Sequence, residues 1–74
     1  MKEITQQEFK DKLGSKIFEL RTKSGLTQEQ LAHKIGKDKQ FINRYELEGA
    51  NPTAYNLYKL ARALDVTVDD LLDF

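Results

Sequence analysis

One short pattern occurs three times along this chain, and each occurrence predicts the start of an α-helix. In residues 4–9, 26–31 and 66–71, a threonine stands between an apolar residue just before it and another four residues later. A threonine at the helix N-cap accepts a hydrogen bond from the backbone, and the two apolar side chains pack against each other. Glu8 and Asp70 also stand where an acid completes the capping box. These signals restrict the chain to short helices with tight connections.

Helix ends, and two further helix starts, are marked by glycine, aspartate and proline. Gly25, Gly36 and Gly49 stand where a helix end needs the positive φ that glycine adopts most easily. Asp38 and the Asn-Pro-Thr segment at 51–53 mark two more starts. Together these signals predict five helices, at about residues 6–24, 28–35, 39–47, 54–64 and 68–73.

The spacing of the apolar residues agrees with this assignment. Within each predicted helix they recur every three or four residues, so that one side of the helix faces a common core. We therefore predict one all-α domain spanning residues 1–74, with residues 1–4 frayed. The expected core residues are Phe9, Leu13, Ile17, Leu20, Leu31, Ala32, Ile35, Leu57, Leu60, Ala61, Leu64, Val66, Val68, Leu71 and Leu72.

Composition argues against several functional classes. With no cysteine and a single histidine, His33, the chain is expected to lack both disulfides and a metal site. Asp69 and Asp70 are adjacent, but they stand in the first turn of a helix, where the helix dipole favours acids. No other arrangement suggests catalysis, no phosphate-binding loop is present, and no apolar run approaches the ~20 residues that cross a bilayer. No signal peptide is evident. We expect a soluble cytoplasmic protein that is not an enzyme and has no cofactor, membrane attachment or evident small-molecule ligand.

The most informative segment is residues 27–47, where two short predicted helices are joined by a Gly-Lys-Asp turn at 36–38. Such a turn is typical of the helix-turn-helix, although any helical hairpin can contain one. The second helix has two different sides. One side carries Phe41, Ile42 and Tyr45. The other side, an arc of about 140° at about 100° per residue, carries Lys39, Gln40, Asn43, Arg44 and Leu47.

This polar side suits the edges of DNA bases. Arginine or lysine pairs with guanine, and asparagine or glutamine pairs with adenine. The side carries no acid, whereas a merely solvated helix face usually mixes charges. The 12 basic and 12 acidic residues of the chain balance, so a DNA-binding surface has to be local. Basic residues outnumber acidic ones in residues 1–36, and the reverse holds in residues 53–74.

The chain resembles the Cro/C1-type helix-turn-helix family, also called the XRE family. The resemblance extends over about residues 13–72, and the matching segments are residues 20–32, 35–36, 42–46, 51–53 and 60–66. It implies a five-helix lambda-repressor-like fold that binds double-stranded DNA. It also implies a homodimeric transcriptional regulator, more often a repressor than an activator.

The resemblance implies a role for individual residues. Gln28 and the start of its helix would hold a DNA phosphate, and Arg21 and Glu46 would form a partly buried structural ion pair. The implied groove-facing residues are Lys39, Gln40, Asn43 and Arg44, with Lys37 and Lys39 placed for phosphates as well. Dimers in the family often form through the fifth helix and the end of the fourth, which makes Val68, Asp70, Leu72 and Phe74 candidates for the dimer interface.

Two departures leave an alternative open. After Glu46 the family usually has a glycine two residues on, in a basic loop. Here Leu47 and Glu48 come first and Gly49 follows, so the glycine is later and the loop is acidic. Leu47 would either touch a thymine methyl or lie against the loop. The alternative function is a protein-interaction module, or an antitoxin-type partner, that keeps the fold with weak or no DNA binding. A restriction-controller role also fits the resemblance.

Overall fold

The computed structural model describes residues 3–74, which form five α-helices and contain no strand. The predicted all-helical, five-helix fold is confirmed. Within the segment expected to fray, residues 1–2 lie outside the described residues. None of the helices in residues 3–74 has the length and apolarity needed to cross a membrane. The helices are α1 (Gln6–Lys23), α2 (Gln28–Lys34), α3 (Lys39–Glu48), α4 (Ala54–Leu64) and α5 (Val68–Leu71).

All five helices begin at a capping side chain, as the sequence predicts. Thr5, Thr27 and Thr67 each close a full capping box, in which the threonine hydroxyl accepts from the backbone three residues on. Asp38 caps α3 and Thr53 caps α4 in the same way, but in these two helices the side chain three residues on does not accept from the backbone N–H of the cap residue. Since each cap contributes about 1 kcal/mol, the helix starts are fixed locally.

The helix ends differ from the prediction in small ways. α3 ends at Glu48, one residue later than expected, and α5 ends at Leu71, two residues earlier. α4 is capped at its C-terminal end by Asp65, a non-glycine residue whose φ of 57° lies in the left-handed region. Aspartate tolerates this region better than most residues, and this allows the chain to turn into α5.

The core is built mainly from the predicted apolar faces. The exception is Leu72, which is 37% exposed because α5 has ended before it. Phe9, Leu20, Leu57, Val66 and Val68 pack against the core while partly exposed. The buried apolar residues are Leu13, Ile17, Leu31, Ala32, Ile35, Ile42, Ala50, Leu60, Ala61, Leu64 and Leu71.

α1 and α3 cross at very close range. Gly14 is buried at the crossing, and a Cβ atom there would overlap the carbonyl oxygen of Tyr45 and lie 3.5 Å from the Cα of Gly49. Just after α3, the backbone N–H of Ala50 donates to the carbonyl of Lys10, with an N–O distance of 2.8 Å. These contacts hold α3 against α1 along its apolar side and leave its other side uncovered.

Candidate nucleic-acid interface

The polar side of α3 faces solvent. Lys39, Gln40, Arg44 and Leu47 are exposed, and Asn43 is half-buried between them and α2. Leu47 is 76% exposed, so it does not lie against the following loop. On the opposite side, Ile42 is buried, while the half-buried rings of Phe41 and Tyr45 pack together with centroids 4.7 Å apart. We call the five residues Lys39, Gln40, Asn43, Arg44 and Leu47 the polar face of α3.

An ion pair joins α3 to α1 behind this face. Arg21 donates from Nε to Oε2 of Glu46 at 2.6 Å and from Nη2 to Oε1 at 3.0 Å. The two side chains are only 11% and 4% exposed, respectively. Arg21 also donates to the carbonyl of Leu26 at 2.8 Å, and its guanidinium lies over the ring of Phe18, 5.4 Å from the centroid. Arg21 is thus directed inward, as the resemblance implies.

The ion pair continues into a chain of side-chain hydrogen bonds. Gln28, the first residue of α2, donates from Nε2 to Oε1 of Glu46 at 2.9 Å. The Oε1 atom of Gln28 accepts from Nδ2 of Asn43 at 3.3 Å. We call Arg21, Glu46, Gln28 and Asn43 the polar network.

The polar network changes the expectation for Gln28. Its side chain bonds to the protein at both ends of the amide, so the second N–H of Nε2 and the start of α2 are what remain for the expected phosphate contact. The sequence did not indicate this contact, because Gln28 and Glu46 are 18 residues apart and only the packing of α2 on α3 brings them together.

Of the two lysines expected at phosphates, Lys39 begins the polar face and Lys37 lies just before α3. Lys37 and Lys39 are exposed, and the Nζ atom of Lys37 lies 5.2 Å from the centroid of the Phe41 ring. In the loop after α3, the backbone N–H of Ala50 bonds to α1 and is therefore not free to contact a phosphate. His33 is exposed, as its position off the core stripe predicts.

The candidate dimer residues fall into two groups. Val68 and Phe74 contact their own chain, Val68 against the core and Phe74 edge-on to Phe9 with centroids 5.7 Å apart. Asp70 and Leu72 are exposed, and Phe74 also remains 45% exposed despite its contact with Phe9. Asp70 accepts from the backbone N–H of Thr67, and this hydrogen bond lowers the pKa of the Asp70 carboxyl.

A short helix, α2, is joined by a tight turn to α3, whose polar side faces solvent, and this arrangement defines a helix-turn-helix protein. A profile of the helix-turn-helix family HTH_3 matches residues 17–71, so the chain belongs to this family and the Cro/C1-type resemblance is confirmed.

Relatives and solved structures agree with this assignment. An uncharacterized HTH-type transcriptional regulator of Sinorhizobium fredii is 38% identical over 60 residues, which cover 81% of this chain and 78% of the relative. The restriction-modification controller protein C.AhdI from Aeromonas hydrophila has 39% identity and a TM-score of 0.76, covering 82% of this chain and 92% of that one. The P22 c2 repressor, solved with a synthetic operator, has 30% identity and a TM-score of 0.73, covering 81% and 91%.

Proposed function

We propose that this protein is a homodimeric transcriptional regulator that binds double-stranded DNA in a sequence-specific manner. The observation that carries the proposal is the polar face of α3, which carries no acid and is exposed at every residue except the half-buried Asn43. In this arrangement α3 lies in the major groove, and α2 crosses the DNA backbone with its first turn toward a phosphate. The proposed place of action is the cytoplasm.

Each residue of the polar face has a role in this proposal. Gln40, Asn43 and Arg44 contact base edges, and Leu47, exposed at the end of α3, contacts a thymine methyl. Lys39 reaches bases or phosphates, while Lys37 lies beyond the face and contacts phosphates.

Dimerisation follows from the small size of this face. A single α3 contacts only a few base pairs, whereas two copies bind half-sites about 34 Å apart. Leu72 and Phe74, both exposed after α5, are the apolar side chains proposed to contact a second copy. The names of the relatives, which include a phage repressor and a restriction-modification controller, support repression or restriction control as the outcome.

The affinity for mixed-sequence duplex DNA is expected to fall about a hundredfold between about 50 and 200 mM salt. Lys37 and Lys39 of two subunits make four phosphate contacts, and each contact releases counterions. In Lys37→Gln the slope of log affinity against log salt should become shallower by about 1.8. Lys23→Gln is the matched control, since Lys23 is exposed at the end of α1 and lines the same surface depression as Asp65 and Asp70. Fluorescence anisotropy measures both slopes. No binding at the low salt concentration would contradict the proposal.

Replacing Gln40 and Arg44 together by alanine should remove the sequence preference at the base pairs that these two side chains contact, while leaving the melting temperature unchanged. Both side chains are exposed and make no hydrogen bond with the described part of the chain, so their removal costs little stability. Each base pair read by such a side chain contributes about 1–3 kcal/mol of discrimination. Selection from a random duplex pool and a thermal melt measure the two properties. A large loss of stability would show that this side is packed instead.

The second candidate is a protein-interaction module with weak DNA binding. Zero net charge, the exposed Glu48 and the occupied N–H of Ala50 favour it. The two candidates differ in the salt titration, because an interaction module would bind duplex DNA weakly or not at all even at low salt.

A further inference from the structure

The polar network determines how the amide of Asn43 is oriented. A carboxylate has no proton to donate, so the Gln28 atom that faces Glu46 has to be the amide nitrogen. The Gln28 oxygen then points toward Asn43. Because that oxygen only accepts, the Asn43 atom facing it has to be the nitrogen, as the 3.3 Å contact shows. The orientation therefore follows from the charge of Glu46, which Arg21 holds in place through two hydrogen bonds.

This orientation leaves two groups of Asn43 without a partner in the network. One is the oxygen Oδ1, an acceptor, and the other is the second N–H of Nδ2, a donor. Asn43 lies on α3 at about 40° from Lys39 and about 60° from Gln40, at about 100° per residue. It is thus within the polar face and not at its edge. Its side chain is half-buried against α2, so it reaches outward from a fixed position.

An acceptor beside a donor matches one base. In the major groove adenine presents the N6 amino donor next to the N7 acceptor, whereas guanine presents two acceptors and thymine an acceptor and a methyl group. Cytosine presents a donor without a neighbouring acceptor. An asparagine that is free to turn would lose part of this discrimination, because its amide could present either atom.

We propose that the polar network sets Asn43 to recognise an adenine in each half-site, with Oδ1 accepting from N6–H and Nδ2 donating to N7. This inference rests on the proposed function and makes it more specific. Asn43 is the base-contacting residue, and Gln28 and Glu46 are positioning residues that act through it. Gln28 thus contributes to base recognition without touching a base.

The first test uses the unaltered protein. A random duplex pool is selected for binding, and each adenine of the resulting consensus is replaced in turn by 7-deazaadenine, which lacks N7, or by purine, which lacks the N6 amino group. At one position per half-site, each replacement should weaken binding about tenfold. In Asn43→Ala that sensitivity should disappear, and any base should be accepted there. Gln40→Ala is the matched control, since it should change the preference at another position and leave this one intact.

The second test separates positioning from contact. In Gln28→Leu the amide of Asn43 is no longer oriented, so adenine preference at the same position should relax by about tenfold while the salt slope stays that of the unaltered protein. If Gln28→Leu does not fold, the base replacements with the unaltered protein still decide the contact.

The outcomes distinguish this inference from the function on which it rests. A symmetric consensus that Asn43→Ala also selects would overturn the adenine contact and leave the regulator proposal standing. An adenine dependence that Gln28→Leu fully keeps would overturn the positioning role. If the unaltered protein selects no sequence, the proposed function fails and this inference fails with it.

Discussion

Replacing Gly14 by alanine is expected to destabilise the protein by about 3 kcal/mol, although alanine is the better helix former by about 1 kcal/mol. The added methyl would overlap the backbone carbonyl oxygen of Tyr45 in α3, which cannot rotate away as a side chain could. α1 and α3 would have to separate, and the contacts around Leu13 and Ile17 would loosen. For a domain of this size the melting temperature should fall by about 12–24 °C.

The matched control is Ser15→Ala, one residue further along α1. Ser15 is exposed, so this change should alter the melting temperature by no more than a few degrees. Since the crossing at Gly14 also positions α3, Gly14→Ala should weaken DNA binding more than its unfolded fraction accounts for. A Gly14→Ala protein that melts at or above the original temperature would show that the two helices can shift at little cost.

The helices were predictable because their signals are local. Thr5, Thr27 and Thr67 act on residues three positions away, and Asp38 and Thr53 do the same. Such a cap works in the same way whatever else surrounds the helix. The polar face of α3 was predictable for the same reason, since helical periodicity alone separates its side chains from the apolar ones.

The features that were not predicted depend on contacts between distant parts of the chain. Gly14 has an ordinary position within α1, and only the path of α3 shows why it lacks a side chain. Asp65 takes the turn where glycine would be expected. The bond from Gln28 to Glu46 depends on how α2 and α3 pack, so the sequence could suggest a phosphate contact for Gln28 but not its place in the polar network.

Replacing Arg21 by methionine is expected to cost about 3–5 kcal/mol of stability, the usual result of leaving one charge of a buried pair without its partner. The carboxylate of Glu46 would keep only the hydrogen bond from Gln28, at a site where its side chain is 4% exposed. The control is Lys16→Met, which breaks the 3.6 Å pair of Lys16 with Glu19, whose side chains are 19% and 62% exposed, respectively. That loss should stay below about 1 kcal/mol. Urea denaturation gives both values.

A second substitution separates the ion pair's effect on stability from its effect on recognition. Adding Glu46→Leu to Arg21→Met removes the unpaired charge, so the double variant should be more stable than Arg21→Met alone by about 1 kcal/mol or more. Gln28 would then have no carboxylate to orient it, and Asn43 would lose its fixed amide. The double variant should therefore regain stability without regaining the preference for adenine. Recovery of both properties together would mean that the pair acts only by holding α3 in place, and recovery of neither would mean that α3 needs the pair's own geometry.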